Sequence, residues 1–278
     1  MEIFKYSRNK KICIVAHDAG GAMILKYLVY FSKSKFSYIL TGPAQNIFNM
    51  KNSKQNYRKI IDSSDFVITG TSYKSLTEYK CIKYCKKKNK KVYSVLDHWI
   101  NYKIRFLRNR KYVFPDKIIV CDEDSRKLAL KFFKNVIYMQ NPYWKYIKKN
   151  FKNKNKNKNN YLYVSSNYNR LKKKYDDTWI LNKLIKYLKK KNKNLNLFIR
   201  KHPTENISKF KKFKSSNKIK IILDKNINLI ESLKNKFVVL GHNSMASVIA
   251  KICGIKTLNI NINNQKNTIP PKYIDKYI

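Results

Sequence analysis

Arginine is scarce in this sequence: only 8 of its 62 cationic residues are Arg, against 16 acidic residues and a formal charge of +46. Arg is the side chain that reads guanine and phosphate through paired hydrogen bonds. A surplus made almost wholly of Lys therefore argues against a nucleic-acid reader, and the 21 Tyr follow apolar patterns rather than forming a stacking platform. Lys, Asn, Ile, Tyr and Phe are abundant together, as AT-rich coding imposes on surface positions free to drift. Such a field still attracts anionic ligands and lipid head groups, under the control of salt. Long apolar runs are missing as well. Lys26 interrupts the best stretch, Ala22 to Phe31, and residues 1–5 begin no run of signal-peptide length. The expected location is the cytoplasm, with peripheral contact at an anionic inner membrane. The five cysteines are odd in number and scattered, and no second pair stands near Cys81 and Cys85 at zinc-ligand spacing, so reduced, buried thiols are expected. The Gly-x-Gly-x-x-Gly fingerprint is absent, so no dinucleotide cofactor is expected, and no bound metal is expected because the basic loops of the second half can neutralise charge themselves.

What is present is a regular alternation of strand and helix patterns. Lys11–Ala16 is an apolar run of strand length, followed by His17-Asp18-Ala19-Gly20-Gly21-Ala22 and then a helical pattern from Met23 to Tyr30. Further strands are expected at residues 36–40, 66–72, 92–96, 117–121 and 135–139, with helices at 75–88 and 124–133. This is the pattern of βαβ units on a parallel sheet, whose carboxyl edge should gather His17, Asp18, Thr71, Asp97 and His98. Residues 150–160 repeat Lys and Asn with Phe151 as their one apolar residue, and read as a linker between domains at 1–149 and 161–278. The second half repeats the alternation, with strands at 161–166, 197–199, 220–223, 237–240 and 257–260 and helices at 176–190, 227–233 and 244–253. The expected fold class is α/β, with two Rossmann-like domains facing across a cleft.

In the second half, Leu197-Phe198-Ile199 runs into Arg200-Lys201-His202-Pro203-Thr204, a strand delivering a basic, titratable loop to the edge where open sheets bind ligands. Pro203 fixes the loop, Lys201 offers a point charge to phosphate, and His202 can bind a phosphate oxygen or protonate a leaving group; the alternative is a solvated basic turn. Phe237–Leu240 likewise delivers Gly241-His242-Asn243-Ser244, whose hydroxyl and following helix N–H groups suit an anion, or serve as a plain helix cap. In the first half, Gly20 and Gly21 let the backbone approach a ligand at the amino end of a helix, or serve close packing. Asp18 at the end of the first strand can take the proton of an attacking hydroxyl, or cap the helix. Asp97-His98 faces an acceptor or forms an ion pair within its own domain.

The pair Arg200-Lys201-His202-Pro203 and Gly241-His242-Asn243-Ser244-Met245-Ala246 resembles the "HP" and "serine" motifs of bacterial sialyltransferases, polysialyltransferases and related capsule and glycerophosphate transferases. The resemblance implies a GT-B enzyme whose second domain binds a CMP- or CDP-activated donor, with His202 and Ser244 at its phosphates and Asp18 in the place of the family's carboxylate base. The chain departs from many such enzymes where a ribose-binding Glu follows the serine by about five residues; here the helix reads Ala246-Ser247-Val248-Ile249-Ala250.

The expected function is metal-independent transfer of a sugar from a nucleotide-sugar donor to a glycan or lipid-linked acceptor of a surface polysaccharide. Asp18 and His202 are the catalytic candidates, and Gly20, Gly21, Lys201, Pro203, Thr204, His242, Asn243 and Ser244 the binding ones. The rivals are a nucleotide-sugar epimerase or hydrolase of the same fold, and a basic nucleic-acid or membrane-binding protein.

Overall fold

The first strand, β1 (Lys11–Ala16), is apolar after Lys11 because its alternate residues serve two cores. Ile12, Ile14 and Ala16 belong to one that includes Leu25 and Leu28 of α1 (Ala19–Tyr30) and Leu40 of β2 (Lys35–Leu40). Cys13 and Val15 belong to the other. There they join Ile61 of α3 (Tyr57–Asp62), Val67 of β3 (Phe66–Thr69), Ile82 of α4 (Thr77–Lys87) and Val92 of β4 (Val92–Val95). A short helix, α2 (Pro43–Phe48), precedes α3, and a small antiparallel hairpin of β5 (Leu107–Arg108) and β6 (Lys111–Tyr112) follows β4. Then come β7 (Lys117–Val120), α5 (Glu123–Leu130), β8 (Val136–Tyr138) and α6 (Pro142–Asn150). The computed structural model describes residues 9–50, 56–73, 75–153, 157–166, 176–190, 194–262 and 266–278.

The chain divides into two compact units, residues 1–146 and 147–278. In the first, six strands pair in the order β2-β1-β3-β4-β7-β8, all parallel. The second holds β9 (Asn160–Val164), α7 (Asp177–Lys190), β10 (Leu195–Arg200), β11 (Ile219–Leu223), α8 (Leu229–Leu233), β12 (Val238–Gly241), α9 (Met245–Ile252), β13 (Lys256–Asn259) and β14 (Lys276–Tyr277). Its sheet runs β11-β10-β9-β12-β13-β14, again wholly parallel, with Leu197, Ile199 and Leu240 packed against Leu181 and Leu184 of α7. That is the strand order 3-2-1-4-5-6 of a doubly wound sheet, whose chain reverses direction across the sheet beside β9 and β12.

Two sequence expectations change here. Gly20 and Gly21 do not form a loop, because α1 already begins at Ala19 and both lie in its first turn. What they permit is close packing: a Cβ on Gly21 would stand 3.2 Å from the Gly70 Cα. The Lys/Asn-rich stretch, of which 154–156 lie outside the described residues, is tied to the second unit where it is described. The Asn153 amide donates to the Lys236 carbonyl (3.1 Å) and accepts from the Asn235 N–H (2.9 Å). Composition shows that such a stretch buries no apolar surface; it does not show where its amides bond. All five cysteines are free thiols, and burial pushes Cys13 up to about 12. Among the described residues no helix is long and apolar enough to cross a membrane.

Candidate functional site

In the second unit, Val164 at the end of β9 is in register with Arg200 on one side and Gly241 on the other. The loops that follow β10 and β12 are thereby brought to either side of Ser165 and Ser166, at the edge where the strand order reverses. The turn at Lys201–Thr204 is held from beneath by Glu205, whose side chain is only 3% exposed. Its Oε2 accepts the His202 N–H (2.9 Å) and the Ser165 hydroxyl (2.5 Å), while Oε1 pairs with Lys209. A buried carboxylate so bonded fixes the loop after β10 to the residue that follows β9. The Thr204 N–H points at His202 Nδ1 (3.3 Å), and its hydroxyl lies 2.8 Å from the same atom. An N–H can only donate, so Nδ1 is the acceptor and the neutral ring carries its proton on Nε2.

Arg200, the strongest cation of this stretch, is spent on the fold. Its guanidinium donates to Asp224 Oδ2 (2.8 Å), Ser232 Oγ (2.6 Å) and the Asn226 carbonyl (2.9 Å). Burial alone would push Asp224 up, but the bonds from Ser232 and Arg200 outweigh it and hold the carboxyl below its ordinary value. That leaves Lys201 and His202 to present to a ligand, with exposed Pro203 and Thr204 beside them.

The second loop is built differently. His242 is 1% exposed; its Nδ1–H donates to the Ile260 carbonyl (2.7 Å) and its Nε2 lies 3.2 Å from the Asn243 amide nitrogen. Asn243 takes the left-handed backbone (φ 49°), its N–H donating to Asn259 Oδ1 (3.0 Å) and its own Oδ1 accepting the Thr268 N–H (2.9 Å). The structure thus turns both side chains inward, where they shape the turn. Ser244 stands at the N-cap of α9 but makes no capping bond with its side chain. Behind it, Gly241 is needed for contact: a Cβ there would lie 2.9 Å from Val164 Cγ2 and 3.0 Å from the buried Ser247 Oγ.

In the first unit, the register Val15↔Thr69 and Thr69↔Ser94 brings the ends of β1, β3 and β4 level. His17, Asp18, Thr71, Asp97 and His98 all follow those ends. Asp18 sits at the N-cap of α1 with extended backbone, yet its side chain makes no capping bond and is 41% exposed, 3.9 Å from His17 Nε2. The His17 ring is held at Nδ1 by Thr41 (2.8 Å), which is bonded to Thr77 (2.8 Å), itself bonded to Ser75 (2.9 Å). Asp97 forms a largely buried ion pair with Arg105 (2.6 Å), whose Nη1 also donates to Thr71 Oγ1 (2.9 Å). Of the two readings of Asp97-His98, this is the ion pair within the unit, with Arg105 rather than His98 as partner. The His98 Nδ1 accepts the Trp99 N–H (2.9 Å), and burial holds its imidazole well below the ordinary value. Gly20 faces this carboxylate, since a Cβ there would lie 1.9 Å from Asp97 Oδ2.

Sequence reasoning missed Glu78 and Glu205. Glu78, on the first turn of α4, is 3% exposed; its Oε1 accepts the His17 N–H (2.8 Å) and its Oε2 is buried with no hydrogen-bond partner. Burial, reinforced by the nearby charges of Asp18 and Asp97, raises its carboxyl to about 7. The signal that could have found both is their rarity, as each is an isolated acid in a Lys-dominated chain.

No family model matches the chain, and no curated protein matches it by sequence. Solved structures do match. The UDP-GlcNAc 2-epimerase of Methanocaldococcus jannaschii, in complex with UDP-GlcNAc and UDP, superposes with a TM-score of 0.65 at 15% identity, over 96% of this chain and 88% of that one. MurG of Acinetobacter baumannii gives 0.55 at 11% identity, over 92% and 80%. The glycosyltransferase of kitacinnamycin gives 0.57 at 8% identity, over 96% and 83%. The fold is GT-B-like. Its two parallel sheets of six strands are the two Rossmann-like domains of that architecture.

Proposed function

We propose that this GT-B-like protein is an enzyme acting on a nucleotide-activated sugar, and that it transfers the sugar to a surface-polysaccharide acceptor, glycan or lipid-linked. The observation that carries the reading is the second unit's edge, where a His202 ring with its proton on Nε2, Lys201 and the amino end of α9 flank the switch point beside β9. Such an edge suits the phosphates of a nucleotide. In the transfer, the acceptor oxygen attacks the anomeric carbon and its proton passes to the Asp18 carboxylate, which is not spent on capping. The bond from the anomeric carbon to the nucleotide phosphate breaks, and the released negative charge is met by Lys201, His202 Nε2–H, the Ser244 hydroxyl and helix N–H groups. These groups do the work of charge neutralisation without a metal ion. The resemblance of the HP and serine motifs favours a CMP- or CDP-linked donor.

A second reading is epimerisation of a nucleotide sugar, which several of the structural neighbours are named for, including the one at TM-score 0.65. Both readings begin with binding of the nucleotide. A thermal-shift screen of CMP, CDP, UDP and GDP names the base, since a ligand that binds only the native state raises its stability. Incubation of the matching nucleotide sugar without acceptor then separates the two, because an epimer forms only under the second reading. His202→Ala is expected to lower turnover at least about tenfold with the fold intact. Unchanged turnover in that variant defeats both readings.

A further inference from the structure

Three of the chain's eight arginines, Arg105, Arg108 and Arg110, fall within six residues, and no Asp or Glu occurs between His98 and Pro115. Two of the three fasten this segment to the rest of the first unit. Arg105 bonds Asp97 and Thr71, and Arg108 Nη2 donates to the carbonyls of Ser72 (2.6 Å) and Ser75 (3.0 Å). Beneath, Phe106 is buried and meets Phe114 edge to face, so the hairpin is seated on the core. The third, Arg110, is exposed at the tip, where it and Asn109 both take the left-handed backbone that closes a two-residue turn (φ 60° and 48°).

What this lobe turns outward is partly apolar. Tyr73 is 56% exposed, Leu76 46%, Ile104 38% and Tyr112 45%. Tyr73 and Leu76 adjoin the two carbonyls that Arg108 holds, Ile104 adjoins Arg105, and Tyr112 carries the Lys103 ammonium 5.3 Å over its ring. One exposed apolar side chain needs no explanation. Four in one neighbourhood, rimmed by Lys103, Arg110 and Lys111 with no acid in the segment, match the composition of a bilayer interface. Tyrosine rings and aliphatic chains enter the acyl boundary there while cations meet the lipid phosphates.

We propose that residues 103–112, together with Tyr73 and Leu76, form a contact surface for an anionic lipid bilayer. The lobe joins the candidate site directly, because Arg105 is the partner of Asp97; under the transfer reading, on which this last clause alone rests, it brings a lipid-borne acceptor to the Asp18 edge.

The test uses full-length protein and vesicle flotation, with phosphatidylglycerol in phosphatidylcholine against phosphatidylcholine alone. At low salt a chain of charge +46 adheres to any anionic surface, so the decisive comparison is made at about 0.5 M salt, where exposed charges are screened beyond a few ångström. The quadruple variant Tyr73→Ser, Leu76→Ser, Ile104→Ser, Tyr112→Ser keeps the net charge, alters exposed positions only, and is checked for its fold by thermal melting. Wild type is expected to stay on the anionic vesicles, and the variant to bind at least about tenfold more weakly. A second variant, Tyr30→Ser with Phe31→Ser, removes exposed aromatics elsewhere in the same unit and is expected to bind as wild type. The proposal is overturned if the quadruple variant floats like wild type, if the second variant loses as much, or if the lobe is needed for retaining RNA rather than vesicles at the same salt. Because the readout is vesicle binding, the result stands whether or not the protein turns over a nucleotide sugar.

Discussion

Between pH 4.5 and about 7 the native protein holds a proton on Glu78 that the unfolded chain has already released, because burial, with the charges of Asp18 and Asp97 added, disfavours the ionised form. The native state therefore binds more protons than the unfolded one over that window, and stability falls as pH rises through it. The penalty, fully present above the window, is on the order of 3 kcal/mol. Glu78→Gln cannot ionise and keeps an acceptor for the His17 N–H, so its stability relative to wild type should rise across the same window when urea unfolding is followed against pH. Parallel curves for the two proteins would show that Glu78 is ionised throughout. Glu205 makes the opposite case, a buried carboxylate whose oxygens are all engaged. Glu205→Ala leaves the His202 N–H and Ser165 hydroxyl without their partner, at a cost of about 1–3 kcal/mol. It should also weaken nucleotide binding although it reaches the ligand only through the turn it holds, an effect that calorimetric titration would detect. Neither residue was legible in the sequence as a site residue. Burial and partners come from elements 61 and 40 positions away, His17 and Ser165.

At the scale of elements, strands and most helices could be read from apolar runs, since a parallel strand buried on both faces is apolar along its length. The short pieces could not. The helix Pro43–Phe48 and the hairpin Leu107–Tyr112 have too few residues for a period to show, and the hairpin's place is set by Arg105 bonding the Thr71 hydroxyl and Arg108 the Ser72 carbonyl, more than thirty positions away. The sequence leaves the glycine pair open between ligand approach and close packing, because a glycine loop and a glycine-bearing first helical turn have the same sequence; the close approach to Gly70 and Asp97 shows the packing. This gives two distinct outcomes for alanine. Gly21→Ala meets backbone that cannot yield, and should destabilise by about 1–3 kcal/mol on urea unfolding. Gly20→Ala meets the Asp97 carboxylate, a side chain that can shift, so its cost should be that of disturbing the buried pair with Arg105 and should vanish in an Asp97→Ala background; additive costs of the two substitutions on urea unfolding would reverse the assignment.

At the scale of the whole molecule the charge of +46 remains the most conspicuous property, and its effects separate by salt. A mononucleotide held by one or two cations should lose less than about tenfold in affinity between 50 and 200 mM salt, whereas adhesion to RNA over a wide basic surface should lose about 10³-fold. Filter binding at the two salts measures both, and equal slopes would mean that the nucleotide is held by the general field and not by the built edge. The sequence by itself determined the strand and helix alternation, the parallel sheets and the pair of basic and serine loops, because these depend on neighbours within a few residues. Only the tertiary structure decided what each polar group is spent on. His242 and Asn243 were candidate ligands for an anion and are bonded into the turn they form, Arg200 is bonded into the fold, and Glu78 and Glu205 are the buried acids behind the candidate residues of their own units. The physical reason is that a charge or a hydrogen bond is committed by whatever lies within about 3 Å, and those neighbours are brought there by the packing of the sheets.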